Sequence, residues 1–249
     1  MALVFLEQSD GAAVIRISRP EKRNALTLFM LEEVARLAER AAADGAVAVV
    51  LTGGDEAFSG GVDLDELGRG AADLNVDGVL AATVARLRAI PVPLVIAIEG
   101  ACVGGAVELA LCGDARVVAE GGFFAVPATR LGLLYRPEAL ATMVAVVGRE
   151  TVARLLLFNE RMEAAEALAG GLATHVCARG TALASALTLC EGVSRETSGA
   201  VRATKELLAE LLGADDDLAH WSDRREQLLD SEERREALRR AGTHRAEGG

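Results

Sequence analysis

Aromatic side chains are scarce in this 249-residue chain: one Trp, one Tyr and six Phe, 3% of the total, although apolar residues reach 51%. The core must therefore be assembled from Ala, Val and Leu. Lysine is scarcer still, with only Lys22 and Lys205. The basic residues number 26 against 37 acids, a formal net charge of −11. A nucleic-acid binder needs a basic footprint, so that class is set aside. A phosphate-bearing ligand needs only a local basic cluster and stays open. The three His (175, 220, 244) form no HxxxH or HExxH pattern, and the four Cys (102, 112, 177, 190) lack paired spacing, so no metal site is expected. A reduced, cytoplasmic compartment is the plain expectation. No apolar run approaches the ~18 residues of a membrane span. The segment Met1–Glu7 has no basic region and carries an acid, unlike a signal peptide. A chain of this length buries roughly three quarters of its unfolded surface and needs no disulfide to fold.

The first half reads as strand-rich. Residues 3–7 and 12–18 flank Asp10-Gly11, a hairpin signal. Thr27 offers a helix cap, and Leu28, Leu31, Val34, Ala35 and Ala38 recur at helical spacing. Residues 47–51 and 94–98 are unbroken apolar runs fenced by Gly or Pro, the pattern of strands buried on both faces. Short strands are expected at 115–119 and 123–125. Helices are expected at 63–67, 76–89, 104–112, 137–147, 149–157, 163–168, 180–195 and 199–212. The tail from Asp223 holds seven Arg and seven Asp/Glu. It reads as a helical arm that packs on another subunit, with a solvated helix face as the plainer alternative. The whole is an α/β or α+β domain over 1–195 followed by a helical portion over 196–249.

Two turns hold the chemistry. Ala57-Phe58-Ser59-Gly60-Gly61-Val62-Asp63-Leu64 and Gly100-Ala101-Cys102-Val103-Gly104-Gly105-Ala106-Val107-Glu108 each follow a buried strand and open a helix. Paired glycines turn the backbone tightly and expose N–H groups, and N–H groups at a helix start hold developing negative charge. Either turn alone is an ordinary tight connection. Together they can supply two backbone donors to one oxygen, an oxyanion hole.

With these turns the chain resembles the crotonase superfamily, the enoyl-CoA hydratase/isomerase group. Arg19-Pro20-Glu21-Lys22-Arg23-Asn24-Ala25-Leu26 is similar to the family's opening motif. Leu51-Thr52-Gly53-Gly54 with Phe58 to Leu64, and Gly100 to Glu108, resemble its two oxyanion-hole turns. Ala164 to Gly171, with Leu172 and Val176, is similar to its A-x-x-A-x-x-x-G-L stretch, and Ser231 to Glu236 to its C-terminal helix. The resemblance covers nearly the whole chain. It implies a spiral of ββα units with a helical C-terminal trimerisation region, homotrimers or hexamers built as dimers of trimers, a place in fatty acid metabolism, and a coenzyme A thioester substrate with no cofactor beyond that coenzyme A. By position the oxyanion donors are the N–H groups of Val62 and Gly105. Lys22 and Arg23 are candidates for the coenzyme A phosphates, against a solvated surface pair. The backbone of Ala25, Gly61, Asp63 and Leu64 would hold the adenine and pantetheine.

Departures from the family pattern bear on the reaction. Hydratases of this group use two glutamates. The first matches Glu108; at the second place, after Pro127, stands Ala128. Loss of one positioned acid/base costs about 10²–10⁴-fold in rate. In Arg130-Leu131-Gly132-Leu133-Leu134-Tyr135-Arg136-Pro137 the chain leaves the usual Gly-Leu-x-Pro-Gly-x-Gly-Gly and is similar to the methylmalonyl-CoA decarboxylase branch. That branch carries a His where Val62 stands. Tyr135 is thus a candidate catalytic residue beside Glu108. The favoured expectation is an enzyme that decarboxylates a malonyl-type acyl-CoA, a lyase. Hydration or double-bond isomerisation by Glu108 alone is the close alternative. A non-catalytic acyl-CoA-binding protein is the alternative of another class.

Overall fold

The computed structural model describes residues 3–9, 11–66, 74–193 and 195–211, together with positions 227, 231, 232, 235 and 236. Most of the expected tail helix, including Leu212, Trp221, Leu228 and Leu229, lies outside these residues, as does Leu67.

The hairpin strands β1 (Val4–Ser9) and β2 (Ala12–Ile17) pair antiparallel. Helix α1 (Leu28–Ala43) follows, with the Thr27 hydroxyl accepting from the Met30 N–H. The chain then repeats one plan three times. The first unit is β3 (Ala48–Thr52), β4 (Ala57–Ser59) and α2 (Leu74–Ala89). The second is β5 (Leu94–Ile98), β6 (Ala101–Val103) and α3 (Gly105–Ala110). The third is β7 (Ala115–Ala119), β8 (Phe123–Ala125) and α4 (Pro137–Leu156). Strand β9 (Met162–Glu163), α5 (Ala164–Ala169), β10 (His175–Cys177), α6 (Ala182–Glu191) and α7 (Ser198–Leu211) complete the described order. The first strand of each unit joins a six-stranded sheet, β1-β2-β3-β5-β7-β10; the second joins a four-stranded sheet, β4-β6-β8-β9. This is the expected spiral of ββα units.

The Ala/Val bias has a packing cause. In the larger sheet side chains alternate between faces. One face presents Ala12, Val14, Ala48, Val50, Val95, Ala97, Val117 and Ala119, against which Ala182, Ala186 and Cys190 of α6 pack. The other presents Ile15, Val49, Leu51, Ile96, Ile98 and Val118 to the main core. Small residues let α6 sit close, and larger ones fill the space between the layers. Strands β3 and β5 are buried at every position, as their unbroken apolar runs require.

Several expectations are adjusted. The stretch 63–67 holds only a 3₁₀ turn, Leu64–Glu66. The helices expected at 137–147 and 149–157 form one run, α4, broken at Gly148 with φ 78°. The helix expected at 180–195 is shorter, Ala182–Glu191, ending at Gly192, and Glu99 rather than a local side chain caps its start. The Glu99 carboxylate accepts from the N–H groups of Gly180 (3.2 Å) and Ala182 (2.9 Å).

Asn24 locks the site's frame to the sheet. Its backbone is left-handed (φ 56°), a region Asn tolerates better than most residues. Its buried amide donates to the carbonyls of Gly53 (2.7 Å) and Ala57 (2.9 Å), and its Oδ1 accepts from the Arg19 N–H (2.7 Å). Asn24→Ala is expected to cost about 3 kcal/mol, since three buried polar groups lose their partner. Urea unfolding checks this; a loss below about 1 kcal/mol would show that the three groups find other partners.

Candidate active site

The first turn is built by hydrogen bonds that occupy the N–H groups of Gly60, Gly61 and Asp63. Ser59 Oγ donates to the Asn24 carbonyl (2.8 Å) and accepts from the Gly61 N–H (3.0 Å). Leu26 N–H donates to Gly61 C=O (2.7 Å), and Asp63 N–H to Leu26 C=O (2.8 Å). In such a parallel bridge the residue between, Val62, points its own N–H away from Leu26. The second turn ends at Gly104 (φ 59°), and Gly105 opens α3, where a first-turn N–H has no intrahelical acceptor.

The turns touch. A Cβ on Gly61 would lie 2.6 Å from the Val103 carbonyl oxygen, and Gly61 itself has φ 97°. A Cβ on Gly105 would lie 3.0 Å from Val62 Cγ2 and 3.1 Å from Leu80 Cδ2. Val62 and Gly105 therefore stand side by side, and both line one cavity of about 390 Å³. Glu108, Ala128, Tyr135 and Arg136 line it too. The candidate catalytic residues converge here from three different ββα units.

Glu108 is buried on α3 and ion-paired with Arg136, whose Nη2 donates to Oε1. Burial pushes the Glu108 carboxyl above its ordinary range, against the opposing pull of the Arg136 guanidinium. A carboxyl raised in this way is a weaker acid, and its conjugate base a stronger base, than one in water. The Tyr135 hydroxyl donates weakly to the Gly104 carbonyl (3.4 Å). Burial first, and the Glu108 charge second, push this hydroxyl well above the usual phenol range, so it stays neutral. Ala128 is buried in the wall and brings no polar group.

The sequence did not single out Arg136. Its only local signal is Pro137, which begins α4 and makes Arg136 the residue at the helix start. Asp77 on α2 also lines the cavity and was likewise missed.

Of the coenzyme A candidates, Gly61 and Leu64 line this cavity, while Lys22, Arg23, Ala25 and Asp63 do not. Lys22 is half exposed, with Nζ 3.4 Å from Asp65 Oδ2. Arg23 is exposed, in left-handed conformation after a 3₁₀ turn over Pro20–Lys22. The Ala25 N–H donates to Lys22 C=O (3.0 Å), and its carbonyl accepts from Arg19 Nη1 (3.2 Å). The Asp63 carboxylate accepts from Arg19 and from the Asp65 N–H (3.0 Å), which hold it below the usual carboxylate range. Gly61 and Asp63 thus spend their N–H groups on the frame. Leu64 is exposed and lines the cavity. Among the described residues no cluster of three or more His, Cys, Asp or Glu is arranged to hold a metal, and no helix is long and apolar enough to cross a membrane.

This frame and this pair of turns are those of a crotonase-fold protein. The family model described as enoyl-CoA hydratase/isomerase matches residues 7–247, and the chain belongs to that family. YngF of Bacillus subtilis is 30% identical over 243 residues, covering 95% of this chain and 94% of its own. The 2,3-dehydroadipyl-CoA hydratase of Escherichia coli is 28% identical, covering 84% of this chain and 82% of its own. A crystal structure of an enoyl-CoA hydratase/carnithine racemase from Magnetospirillum magneticum superposes with TM-score 0.90 at 29% identity, over 99% of this chain and 94% of that one.

If Val62 and Gly105 form the oxyanion hole, deleting one donor is expected to cost about 10²–10³ in rate. Gly105→Pro deletes the N–H at the first helical position, where Pro is tolerated by the backbone. Near-normal turnover by the folded variant would remove Gly105 from the mechanism.

Proposed function

We propose that the protein stabilises a thioester enolate of an acyl-CoA between the N–H groups of Val62 and Gly105, and that it forms this enolate by releasing CO₂ from a malonyl-type substrate. The observation that carries this reading is the cavity's polar inventory. The second acid/base place is the buried Ala128, and the one glutamate of α3 is tied to Arg136. A reaction that needs no strong base suits such a wall. The C–C bond to the carboxylate breaks, and its electron pair enters the thioester as an enolate held by the two N–H groups. The neutral Tyr135 hydroxyl orients the departing carboxylate or delivers the proton that completes the product at carbon.

A second reading rests on Glu108 alone. Burial raises its carboxyl above the ordinary range and makes its ionised form a stronger base, which suits double-bond isomerisation or a slow hydration. Incubation with a panel of acyl-CoAs, followed by mass analysis and NMR of the products, separates the readings: loss of CO₂, gain of water, or a double bond shifted at unchanged mass. No change with any of them would favour a non-catalytic acyl-CoA-binding protein. The pH profile separates them again. If Glu108 is the base, it works only when ionised, so activity rises with pH through its raised pKa and Glu108→Gln is inactive. If CO₂ is lost, Tyr135→Phe is the more damaging change and Glu108→Gln keeps a measurable fraction of activity.

Lys22 and Arg23 are proposed to meet the coenzyme A phosphates, with the backbone of Ala25 and Leu64 alongside. The active form is proposed to be a trimer or hexamer. Leu208 and Leu211 on α7 stay 55% and 54% exposed in the single chain, an apolar face that association covers. Light scattering at micromolar concentration is expected to give three or six times the chain mass, and a monomer would overturn this.

A further inference from the structure

The backbone brings Arg136 to Glu108 from a restricted position. Glu108 lies on α3 three residues after Gly105, so the two share one face of the helix. Arg136 precedes Pro137, and a residue before proline is held in extended backbone; Arg136 has φ −55° and ψ 134°. From there its Nη2 donates to Glu108 Oε1. The two side chains are 20% and 8% exposed, so solvent ions screen the pair little. Both line the cavity that holds Val62 and Gly105.

The other charged and titratable groups that face Glu108 act on it less. From α2, Asp77 pushes its carboxyl up and Arg88 pulls it down, each more weakly than Arg136. Burial keeps Tyr135 and Cys112 neutral near neutrality, with the Cys112 thiol pushed up to about 12. Glu138, on the first turn of α4, is exposed to water. A carboxylate bound to a guanidinium is a poor base toward carbon, because taking a proton there gives up a charge-assisted bond inside a buried wall.

We propose that Arg136 is a positioning residue that withholds Glu108 from base work, so that the cavity favours an enolate made by breaking a C–C bond over one made by removing an α-proton. The inference rests on the acyl-CoA reading and adds what decides the course of the reaction. Both routes lead to the same enolate, held by the N–H groups of Val62 and Gly105. In the suppressed route Glu108 takes a proton from the carbon beside the thioester, and the C–H electron pair enters the thioester. The proton on Glu108 then returns to that carbon or exchanges with water. Without Arg136 the carboxylate has lost its bound cation, and its ionised form is a stronger base. The buried Ala128 offers no carboxylate to share the task.

The test is exchange of the α-protons of butyryl-CoA in D₂O, followed by mass analysis over a pH series. Butyryl-CoA has neither a carboxylate to lose nor a double bond to hydrate or shift. Arg136→Gln is expected to raise the exchange rate on its high-pH plateau about tenfold or more. That plateau is expected at a higher pH than in the parent, because the pull that lowers the Glu108 pKa is gone. Adding Glu108→Gln to Arg136→Gln is expected to return exchange to the level of Glu108→Gln alone. Arg136→Lys keeps the charge without the planar fork and is expected to lie between parent and Arg136→Gln. A merely structural ion pair would alter stability and leave the plateau and its pH in place. Circular dichroism checks folding, and calorimetry checks that butyryl-CoA binds. Should Arg136→Gln not fold, Arg136→Lys decides, with exchange expected above that of the parent. If the plateau of the folded, binding variant is unchanged or lower, if it is reached at the parent's pH, or if the gain survives Glu108→Gln, the proposal is overturned while the acyl-CoA reading stands. If butyryl-CoA binds neither the parent nor any variant, the acyl-CoA reading itself fails and this proposal with it.

Discussion

The site depends on a close approach of two turns. Gly61 lies so near Val103 that a single methyl group would reach 2.6 Å from a carbonyl oxygen. No side chain longer than hydrogen fits, and the positive φ excludes most residues independently. Beside this contact Val62 and Gly105 stand next to one another. Everything upstream holds that contact in place. Asn24 fastens the opening segment to Gly53 and Ala57, Ser59 fastens the turn to Asn24, and Arg19 clamps Asp63. In the proposed reading the donors are main-chain groups, so Val in place of a smaller residue at 62 would change the room beside the thioester and leave the donor intact.

Much of this was legible in the sequence, for physical reasons that can be named. Strands β3 and β5 carry unbroken apolar runs because they are covered on both faces. The α1 start is announced by Thr27, whose hydroxyl caps it. Strands β4, β6, β9 and β10 were not legible: two or three residues cannot display a period of two, and β8, equally short, was read from its Phe123-Phe124 pair after Gly121-Gly122 rather than from any period. The cap of α6 was hidden for another reason. Glu99 lies 83 residues before Ala182, and no local pattern reveals a partner so distant. The coenzyme A candidates were legible only through family resemblance. The structure adds that Ala25, Gly61 and Asp63 already serve the frame with their N–H groups.

Arg136 shows why the site's electrostatics resisted sequence reading. Where the family pattern has Pro-Gly, this chain has Tyr135-Arg136, so the cavity gains a phenol and a guanidinium in one step. A buried carboxylate without a partner is costly, and breaking such a pair by removing one member typically costs about 3–5 kcal/mol. Glu108 and Arg136 are therefore best understood as one unit. The pair lets a single glutamate stay inside an apolar wall after the second acid/base place has become Ala128.

That unit also explains how one cavity can serve charge of either kind. Burial raises the Glu108 carboxyl while Arg136 pulls it down, and burial wins. While Glu108 is ionised the wall is electrically balanced, and the guanidinium holds the carboxylate rather than leaving it a free base toward the cavity. Protonation of Glu108 would leave Arg136 as a lone cation in the same wall, so proton uptake and the wall's charge are coupled. A change at either residue therefore alters the other: without Arg136 nothing opposes the effect of burial, and without Glu108 the guanidinium loses the anion that balances it.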